Sequence, residues 1–230
     1  KQYPVDSTIM PSEQELMEIV RGVSMNLPPG VNPQDPNVGI LYHAAIAQWI
    51  FEKNKDKREF FIEESFPMEW TYPYAVPNGL SYRLNKEPLE TLPPEAVAED
   101  FRYWNDYVER LLADKNFHED FDAKRSFSKL RNSTGNLYRA RQMWTEAERA
   151  YGQALQLHPN NMESLVALSD ILRAQKRWDE MAVIWDRAVE GDPRNRAVGK
   201  ARERVARLRE ADREIDALQR ELAANPQNAE

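Results

Sequence analysis

Residues 63–74 combine side chains that could do chemistry on a carbohydrate. The segment holds three glutamates and three large aromatic residues: Glu63, Glu64, Glu69, Trp70, Tyr72 and Tyr74. Two carboxylates flanking a glycosidic bond can protonate and cleave it. The same residue types also suit the packing of a proline-rich loop, and the sequence does not fix the distance between the carboxylates. The segment is therefore the alternative functional site of this chain, for carbohydrate binding or for catalysis.

No other combination of residues favours an enzyme. His43, His118 and His158 are far apart, and none lies three or four residues from another, so we expect no metal site. The eight glycines form no phosphate-binding loop, and the chain has neither a G-x-S-x-G elbow nor a cysteine. We therefore predict that the chain is not an enzyme and has no catalytic residue, cofactor or metal.

The composition is that of a helical protein without a polyanion-binding surface. Of the 230 residues, 41% are hydrophobic and 30% are charged, and the formal net charge is −7, which makes nucleic acid a poor partner. No apolar run approaches the roughly 18–20 residues of a membrane-spanning helix. Because the chain begins at Lys1 without a methionine or a secretion signal, we expect a piece or a processed form of a longer protein.

Two stretches of the chain match each other at a fixed offset. Residues 139–161 read RARQMWTEAERAYGQALQLHPNN, and residues 173–195 read RAQKRWDEMAVIWDRAVEGDPRN. The equivalent positions include Arg139/Arg173, Ala140/Ala174, Trp144/Trp178, Glu146/Glu180, Tyr151/Trp185, Ala154/Ala188, Pro159/Pro193 and Asn161/Asn195. We call this offset, from Arg139 to Arg173, the repeat period. A period of 34 with small, aromatic and proline positions in this order is typical of a helix–turn–helix unit that stacks into a solenoid.

This pattern resembles the tetratricopeptide repeat (TPR) family over residues 128–195. Gly135 and Ala147 stand at the small positions of repeat one, whereas Ser169 and Met181 replace them in repeat two. The methionine implies wider packing at its position. The resemblance implies a mainly α fold, a TPR-like α–α superhelix, that binds other polypeptides as a scaffold. It places the repeat helices near 128–142, 145–158, 162–175 and 179–191.

The remaining sequence predicts a small α+β unit before the superhelix. The predicted domains are 1–90 (small α+β domain), 91–127 (connecting helices), 128–195 (two TPR repeats) and 196–230 (capping helix and tail). Twelve of the fifteen prolines precede residue 95, which separates two differently built halves. Strands are expected over 59–66 and 80–84, packed on a helix over 38–54, with a loop over 67–79 that turns at Asn78-Gly79.

Two groups of apolar residues are predicted to be buried. The aromatic stripe Trp144, Tyr151, Trp178 and Trp185 is expected in the core of the repeats. The helix predicted over 196–224 carries one narrow apolar stripe, which is expected to seal the last open face of the solenoid. This stripe consists of Ala201, Val205, Leu208, Ala211, Ile215, Leu218 and Leu222.

In the TPR family a groove lined by the first helix of each repeat holds a peptide. By this resemblance the groove residues are Lys129, Asn132, Asn136, Arg139, Asp170 and Arg173. Arg139 and Arg173 hold the same repeat position, and paired guanidinium groups favour an acidic or C-terminal carboxylate ligand. The alternatives are an ordinary solvated face, or arginines paired with neighbouring acids such as Glu163 or Asp170.

Residues 38–90 carry a second resemblance, in AIAQWIFEKNKDKREFFIEES followed by NGLSYRLNKEPL. They are similar to the soluble tail of a bacterial family of polytopic membrane proteins related to protein O-mannosyltransferases. The matching residues are Asn54, Lys57, Arg58, Phe60, Phe61, Gly79, Leu80, Tyr82, Arg83 and Leu84. The resemblance implies the soluble accessory domain, extracytoplasmic (periplasmic) and without a membrane span, of a larger glycosyltransferase-like membrane protein. A free-standing chain would instead be a cytoplasmic adaptor.

Overall fold

The structure is a computed structural model that describes residues 7–32, 35–63 and 68–224. These residues form nine α-helices and one three-stranded antiparallel sheet, so the protein is mainly α with a small α+β part, as predicted. The chain divides into two compact units, Lys1–Trp104 and Asn105–Glu230. The boundary between the units falls inside the helix Pro94–Ala113.

Two helices open the N-terminal unit. After a short 3-10 turn at Ser7–Ile9, α1 spans Glu13–Met25, and α2 spans Pro36–Asn54. Ser12 begins α1 with the expected capping box, because its side chain accepts from the Glu15 N–H and its own N–H donates to the Glu15 carboxylate at 3.0 Å. The Ser12 hydroxyl also donates to the Glu15 carboxylate at 2.6 Å. This hydrogen bond, followed by the one from the Ser12 N–H, lowers the pKa of Glu15.

The sheet contains one strand more than the sequence predicts. Its strands are β1 (Phe60–Ile62), β2 (Ala75–Asn78) and β3 (Ser81–Leu84), in the order β1-β3-β2, with each pair antiparallel. The predicted loop over 67–79 is therefore wrong for β2. Pro77 lacks an N–H and lowers strand propensity, but β2 is an edge strand, where one unpaired position is tolerated. The expected turn follows at Gly79, whose φ of +62° suits glycine.

Aromatic rings around Phe51 form the core of this unit. The Phe51 side chain is 1% exposed, and its ring centroid lies 5.5 Å from that of Phe60, 5.6 Å from Trp70 and 5.1 Å from Tyr74. Helix α2 therefore covers the sheet. Helix α3 (Pro94–Ala113) holds the β2–β3 turn from its first half, since Trp104 Nε1 donates to the Gly79 carbonyl at 3.2 Å.

The C-terminal unit repeats its helices at the period found in the sequence. After the end of α3, its helices are α4 (Lys115–Glu119), α5 (Phe121–Ala140), α6 (Trp144–Leu157), α7 (Met162–Ala174), α8 (Trp178–Gly191) and α9 (Arg196–Ala224). α8 begins and ends one repeat period after α6, α7 ends one period after α5, and α9 begins one period after α7. We call α5–α6 hairpin one and α7–α8 hairpin two.

The connections between helices repeat as well. Gln142 and Lys176 turn the chain inside each hairpin with φ of +59° and +56°, and these are the two non-glycine residues of positive φ within the described ranges. Asn161 and Asn195 begin α7 and α9, and each side-chain oxygen accepts from backbone N–H groups of the first turn. The repeat period is therefore a property of the backbone.

The two hairpins close around different pairs of side chains. In hairpin one, a Cβ added to Gly135 would lie 2.5 Å from Cε1 of Tyr151, so this glycine lets a fully buried ring approach the backbone. In hairpin two, Ser169 stands at the same position, and its Oγ accepts from Trp185 Nε1 at 2.8 Å.

The aromatic stripe is only partly buried. Tyr151 and Trp185 are 0% and 4% exposed, as predicted, but Trp144 is 49% exposed, so the prediction is wrong for Trp144. Trp178 is half-buried, and its Nε1 donates to Asp212 of α9 at 2.7 Å. α7 holds the same place after hairpin one as α9 does after hairpin two. α7 ends at Ala174, however, before it could place a residue over Trp144 as α9 places Asp212 over Trp178.

α9 packs against hairpin two through its first half. Val198 and Val205 are buried, and Arg202 pairs with Asp186 of α8 at 2.7 Å. The predicted sealing stripe is therefore right for Val205 and wrong for its large members further on, since Leu208, Ile215, Leu218 and Leu222 are all exposed. The cause is length, because α9 has 29 residues and α8 only 14.

Across the described ranges, no helix has both the length and the apolar content that crossing a bilayer requires.

Candidate functional site

The exposed side of α5 carries two cations of the predicted groove. Lys129 and Arg139 are exposed, and neither side chain makes an ion pair with any residue that the structure describes. Both lie on the first helix of hairpin one, as the resemblance requires. These two residues can therefore meet a ligand without first breaking an internal contact.

Asn132 is buried and holds hairpin one to hairpin two. Its side chain is 2% exposed, its Nδ2 donates to Glu163 Oε2 at 3.1 Å, and its Oδ1 accepts from Ser164 Oγ at 2.7 Å. Ser164 is itself fully buried. Asn132 thus links α5 to the first turn of α7 and has little surface to offer a peptide.

Asn136 is also engaged inside hairpin one. Its Oδ1 accepts from the Tyr151 hydroxyl at 2.8 Å, which satisfies the polar end of the buried ring. The Asn136 side chain is half-buried, so part of it still reaches the surface. Its main contact is structural.

Asp170 and Arg173 form an ion pair on the exposed side of α7. Arg173 Nη2 lies 3.0 Å from Asp170 Oδ1, and the side chains of Arg173 and Asp170 are 59% and 55% exposed. The alternative in which an arginine pairs with a neighbouring acid therefore holds for Arg173. An exposed pair of this type contributes only about 0–1 kcal/mol, so a ligand carboxylate can compete with Asp170 for the guanidinium.

α9 extends the series with residues that the sequence interpretation missed. Arg207 lies one repeat period after Arg173, which in turn lies one period after Arg139, and Arg207 is exposed. We call these three residues the arginine row. Lys200 and Arg204 are also exposed, at the positions equivalent to Val166 and Asp170 in hairpin two. The signal was the period itself, which continues into α9 although α9 has no second helix.

First helices of neighbouring units in such a stack lie roughly 8–10 Å apart. The arginine row therefore presents guanidinium groups along one side of successive helices. Each guanidinium offers two parallel N–H donors to a carboxylate. Of the three residues, Arg139 and Arg207 make no ion pair within the described part of the chain.

The aromatic residues of the segment 63–74 take part in packing. Trp70 and Tyr74 lie against Phe51, Tyr72 is 8% exposed, and the Tyr74 hydroxyl donates to Glu52 at 3.4 Å. Glu63 and Glu69 are exposed, and Glu64 lies outside the described residues. These rings contribute to the core of the small unit, as the packing alternative requires.

A recess of about 550 Å³ at the ends of the hairpins contains His118, His158 and Lys124. Burial lowers the pKa of His158, and the nearby charges of Lys124 and Arg125 lower it further. His118 Nε2 lies 2.7 Å from the Leu112 carbonyl oxygen, and Lys124 Nζ donates to the His118 carbonyl oxygen at 2.9 Å. No three His, Asp or Glu side chains among the described residues are grouped to hold a metal ion.

A scan of the chain against models of protein families finds no match, and a search of curated proteins finds none with significant sequence similarity.

Proposed function

We propose that the C-terminal unit is a non-catalytic, TPR-type protein-interaction module that binds an acidic peptide or a C-terminal carboxylate. The arginine row carries the proposal. Arg139, Arg173 and Arg207 recur at each repeat period on the exposed sides of α5, α7 and α9, and two of them lack an internal ion pair within the described ranges. In a chain with a net charge of −7, a row of cations at one repeat position is a local exception.

The backbone period supports the assignment to the TPR type. Helix ends, N-caps and left-handed turns all recur at the same period as the sequence match. A small residue faces a large aromatic ring in each hairpin, as Gly135 faces Tyr151 and Ser169 accepts from Trp185. These are the positions on which the resemblance rests.

The guanidinium N–H donors of the arginine row determine which class of ligand we expect. A guanidinium engages a carboxylate through two N–H groups at once, and such a charge-assisted contact contributes about 1.5–3 kcal/mol. Asp170 disfavours an anion at the centre of the row, so we expect the ligand carboxylates near Arg139 and Arg207. Arg173 then keeps its exposed Asp170 partner.

The second resemblance supplies the setting. We propose that the chain is the soluble, extracytoplasmic accessory domain of a larger glycosyltransferase-like membrane protein. The reading frame upstream of Lys1 tests this part directly. A run of hydrophobic helices there supports the membrane setting, and a start codon beside Lys1 supports a free-standing cytoplasmic adaptor.

A peptide titration tests the binding proposal. The probe is a fluorescein-labelled octapeptide of alternating aspartate and serine with a free C-terminal carboxylate, followed by fluorescence anisotropy. We expect the double substitution Arg139→Ala/Arg207→Ala to raise the dissociation constant by at least about tenfold, because two charge-assisted contacts are lost. The same peptide with an amidated C-terminus should bind more weakly if the terminal carboxylate is recognised, and equally well if only the side-chain carboxylates are.

The matched control removes two exposed arginines outside the row, Arg187 on α8 and Arg194 in the following loop. Arg187→Ala/Arg194→Ala should leave the affinity unchanged at the same net charge. If both double variants weaken peptide binding equally, the loss of affinity reflects only the change in net charge. Retained affinity in Arg139→Ala/Arg207→Ala, with unchanged thermal stability, would remove the row as the binding surface.

A further inference from the structure

The second half of α9 exposes an apolar stripe with coiled-coil spacing. We call it the distal stripe: Leu208, Ala211, Ile215, Leu218 and Leu222. Its residues alternate at intervals of three and four, the a and d positions of a heptad. The four large members are 37%, 51%, 59% and 47% exposed in chain order, so the seam is largely uncovered.

Little of the protein covers this part of the helix. α9 is antiparallel to the shorter α8, and the last ion pair along α9 joins Asp216 to Lys176 in the turn before α8, at 3.2 Å. In the described structure, no side-chain hydrogen bond or ion pair involves a residue after Asp216. Residues 217–224 therefore continue for about 12 Å beyond hairpin two. An apolar stripe of this kind usually packs against another element, and a stripe with a and d spacing fits a second helix.

The charge of α9 reverses along its length. Residues 196–209 contain six basic residues and one acidic residue, a net charge of +5. Residues 210–224 contain five acidic residues and two basic residues, a net charge of −3. One end of this helix is therefore complementary to the other end of a second copy.

We propose that α9 pairs with α9 of a second copy of this chain in an antiparallel, two-fold symmetric coiled coil. Leu208 of one copy packs against Leu218 of the other, and Ala211 against Ile215. Each contact occurs twice, as symmetry requires. Leu222 then covers the aliphatic stem of Arg204, and Glu221 meets Arg207.

The charges select this orientation and register. A parallel pair places the two +5 segments side by side and the two −3 segments side by side. Sliding the antiparallel pair toward the C-terminal ends brings Glu214 of one copy beside Glu221 of the other. In the proposed register, Glu214 on one flank and Asp212 on the other each lie beside their own symmetry mate. Asp212 already pairs with Lys176 at 3.4 Å. Glu214, which makes no ion pair among the described residues, is therefore the residue to change, and Glu214→Gln should strengthen the dimer.

The oligomeric state tests the proposal. Sedimentation or light scattering on the full chain should give twice the 26.8 kDa chain mass at sufficient concentration. Ile215→Asp/Leu218→Asp should raise the dimer dissociation constant by about a hundredfold, since each copy loses two buried apolar side chains. Thermal stability of the monomer should not change, because both side chains are exposed. A mass of one chain at all concentrations would overturn the proposal.

Ala217→Asp provides the matched control, because Ala217 is exposed on a different side of the same turn. It adds a negative charge at the same level of the helix without touching the seam, so the dimer should persist. A dimer that survives Ile215→Asp/Leu218→Asp would place the interface elsewhere. In the dimer, Glu221 of the second copy competes with a ligand carboxylate for Arg207. These variants keep all three arginines, so peptide affinity should be equal or higher when the dimer is lost, and the two proposals fail separately.

The chain has no cysteine, so single cysteines test the orientation. In the proposed pair, Glu214→Cys lies beside the two-fold axis and should cross-link to its mate with a short bis-maleimide. Leu222→Cys lies about 27 Å from its mate and should not. The reverse result would establish a parallel pair and overturn the proposed orientation.

Discussion

Hairpin one and hairpin two share one backbone but have different interiors. α5 buries polar residues, which are Ser128, Arg131, Asn132, Ser133 and Thr134, whereas α7 buries mainly Leu165, Ala167, Leu168, Ile171 and Leu172. Arg131 and Leu165 hold equivalent positions and are both fully buried. The repeat geometry therefore does not depend on an apolar first helix. It depends on the turn, the caps and the small residue that faces an aromatic ring.

Hydrogen bonds replace apolar packing in hairpin one. Arg131 Nε donates to Gln153 at 2.8 Å, and Gln153 donates to Asn105 of α3 at 2.8 Å. Ser128 Oγ donates to the Ala154 carbonyl at 2.7 Å. Such a network is stable when each member is satisfied, and it costs stability when one partner is lost. Hairpin one should thus be the more sensitive of the two to single substitutions.

The largest difference is expected at the small position. Gly135→Ala places a Cβ 2.5 Å from the buried Tyr151 ring and should lower the unfolding free energy by about 3 kcal/mol. Ser169→Ala, at the equivalent position, only removes the acceptor of the Trp185 indole and should cost about 1 kcal/mol. Urea denaturation followed by circular dichroism measures both. Equal effects would show that the two interiors are equally tight.

The second-largest effect distinguishes a structural role of Asn132 from a role in peptide binding. Asn132→Ala removes two hydrogen bonds and leaves the buried Ser164 hydroxyl without its acceptor, so it should cost about 2 kcal/mol. Val166→Ala, at the equivalent but 50% exposed position, should cost less than about 0.5 kcal/mol. Peptide affinity of the folded protein should be unchanged in both. A selective loss of affinity in Asn132→Ala would return Asn132 to the groove.

The smallest effect concerns His158, the residue that follows α6. Asp192 holds the equivalent position after α8. Burial and the positive charges of Lys124 and Arg125 lower the pKa of His158, so the folded protein binds its proton less readily than the unfolded chain. The unfolding free energy should therefore fall as the pH drops below about 6.5, the usual pKa of histidine. His158→Gln should remove this part of the pH dependence. Parallel curves for both proteins would show that His158 is not perturbed.

Local sequence patterns predicted most of the helices. They missed features that depend on elements far away in the sequence. The capping box at Ser12 and the internal repeat match set most helix ends to within a few residues, because caps and turns act locally. The exception is α5, which begins at Phe121, seven residues before the predicted repeat helix. Strand β2 was missed, since Pro77 lowers strand propensity and only its place at the sheet edge makes it tolerable. Trp144 was expected in the core because it shares its spacing with Trp178. Its exposure depends on where α7 ends.

The candidate site was predictable to a similar extent. The period alone locates the arginine row, including Arg207, once it is continued into α9. The burial of Asn132 was not predictable, because its partners Glu163 and Ser164 lie on the next hairpin, far along the chain. Periodicity therefore locates equivalent positions, whereas contacts between hairpins decide which of them stay at the surface.

The N-terminal half of α9 lacks the apolar residues that another hairpin would pack against. In hairpin two, Leu165, Leu168 and Leu172 of α7 are buried, but the equivalent residues of α9 are Gly199, Arg202 and Ala206. A third hairpin grafted onto this end would have to bury Arg202 and break its pair with Asp186. The exposed side of α9 therefore does not favour packing against a further hairpin. Lengthening it by engineering would require apolar residues at these positions before any new helix could add.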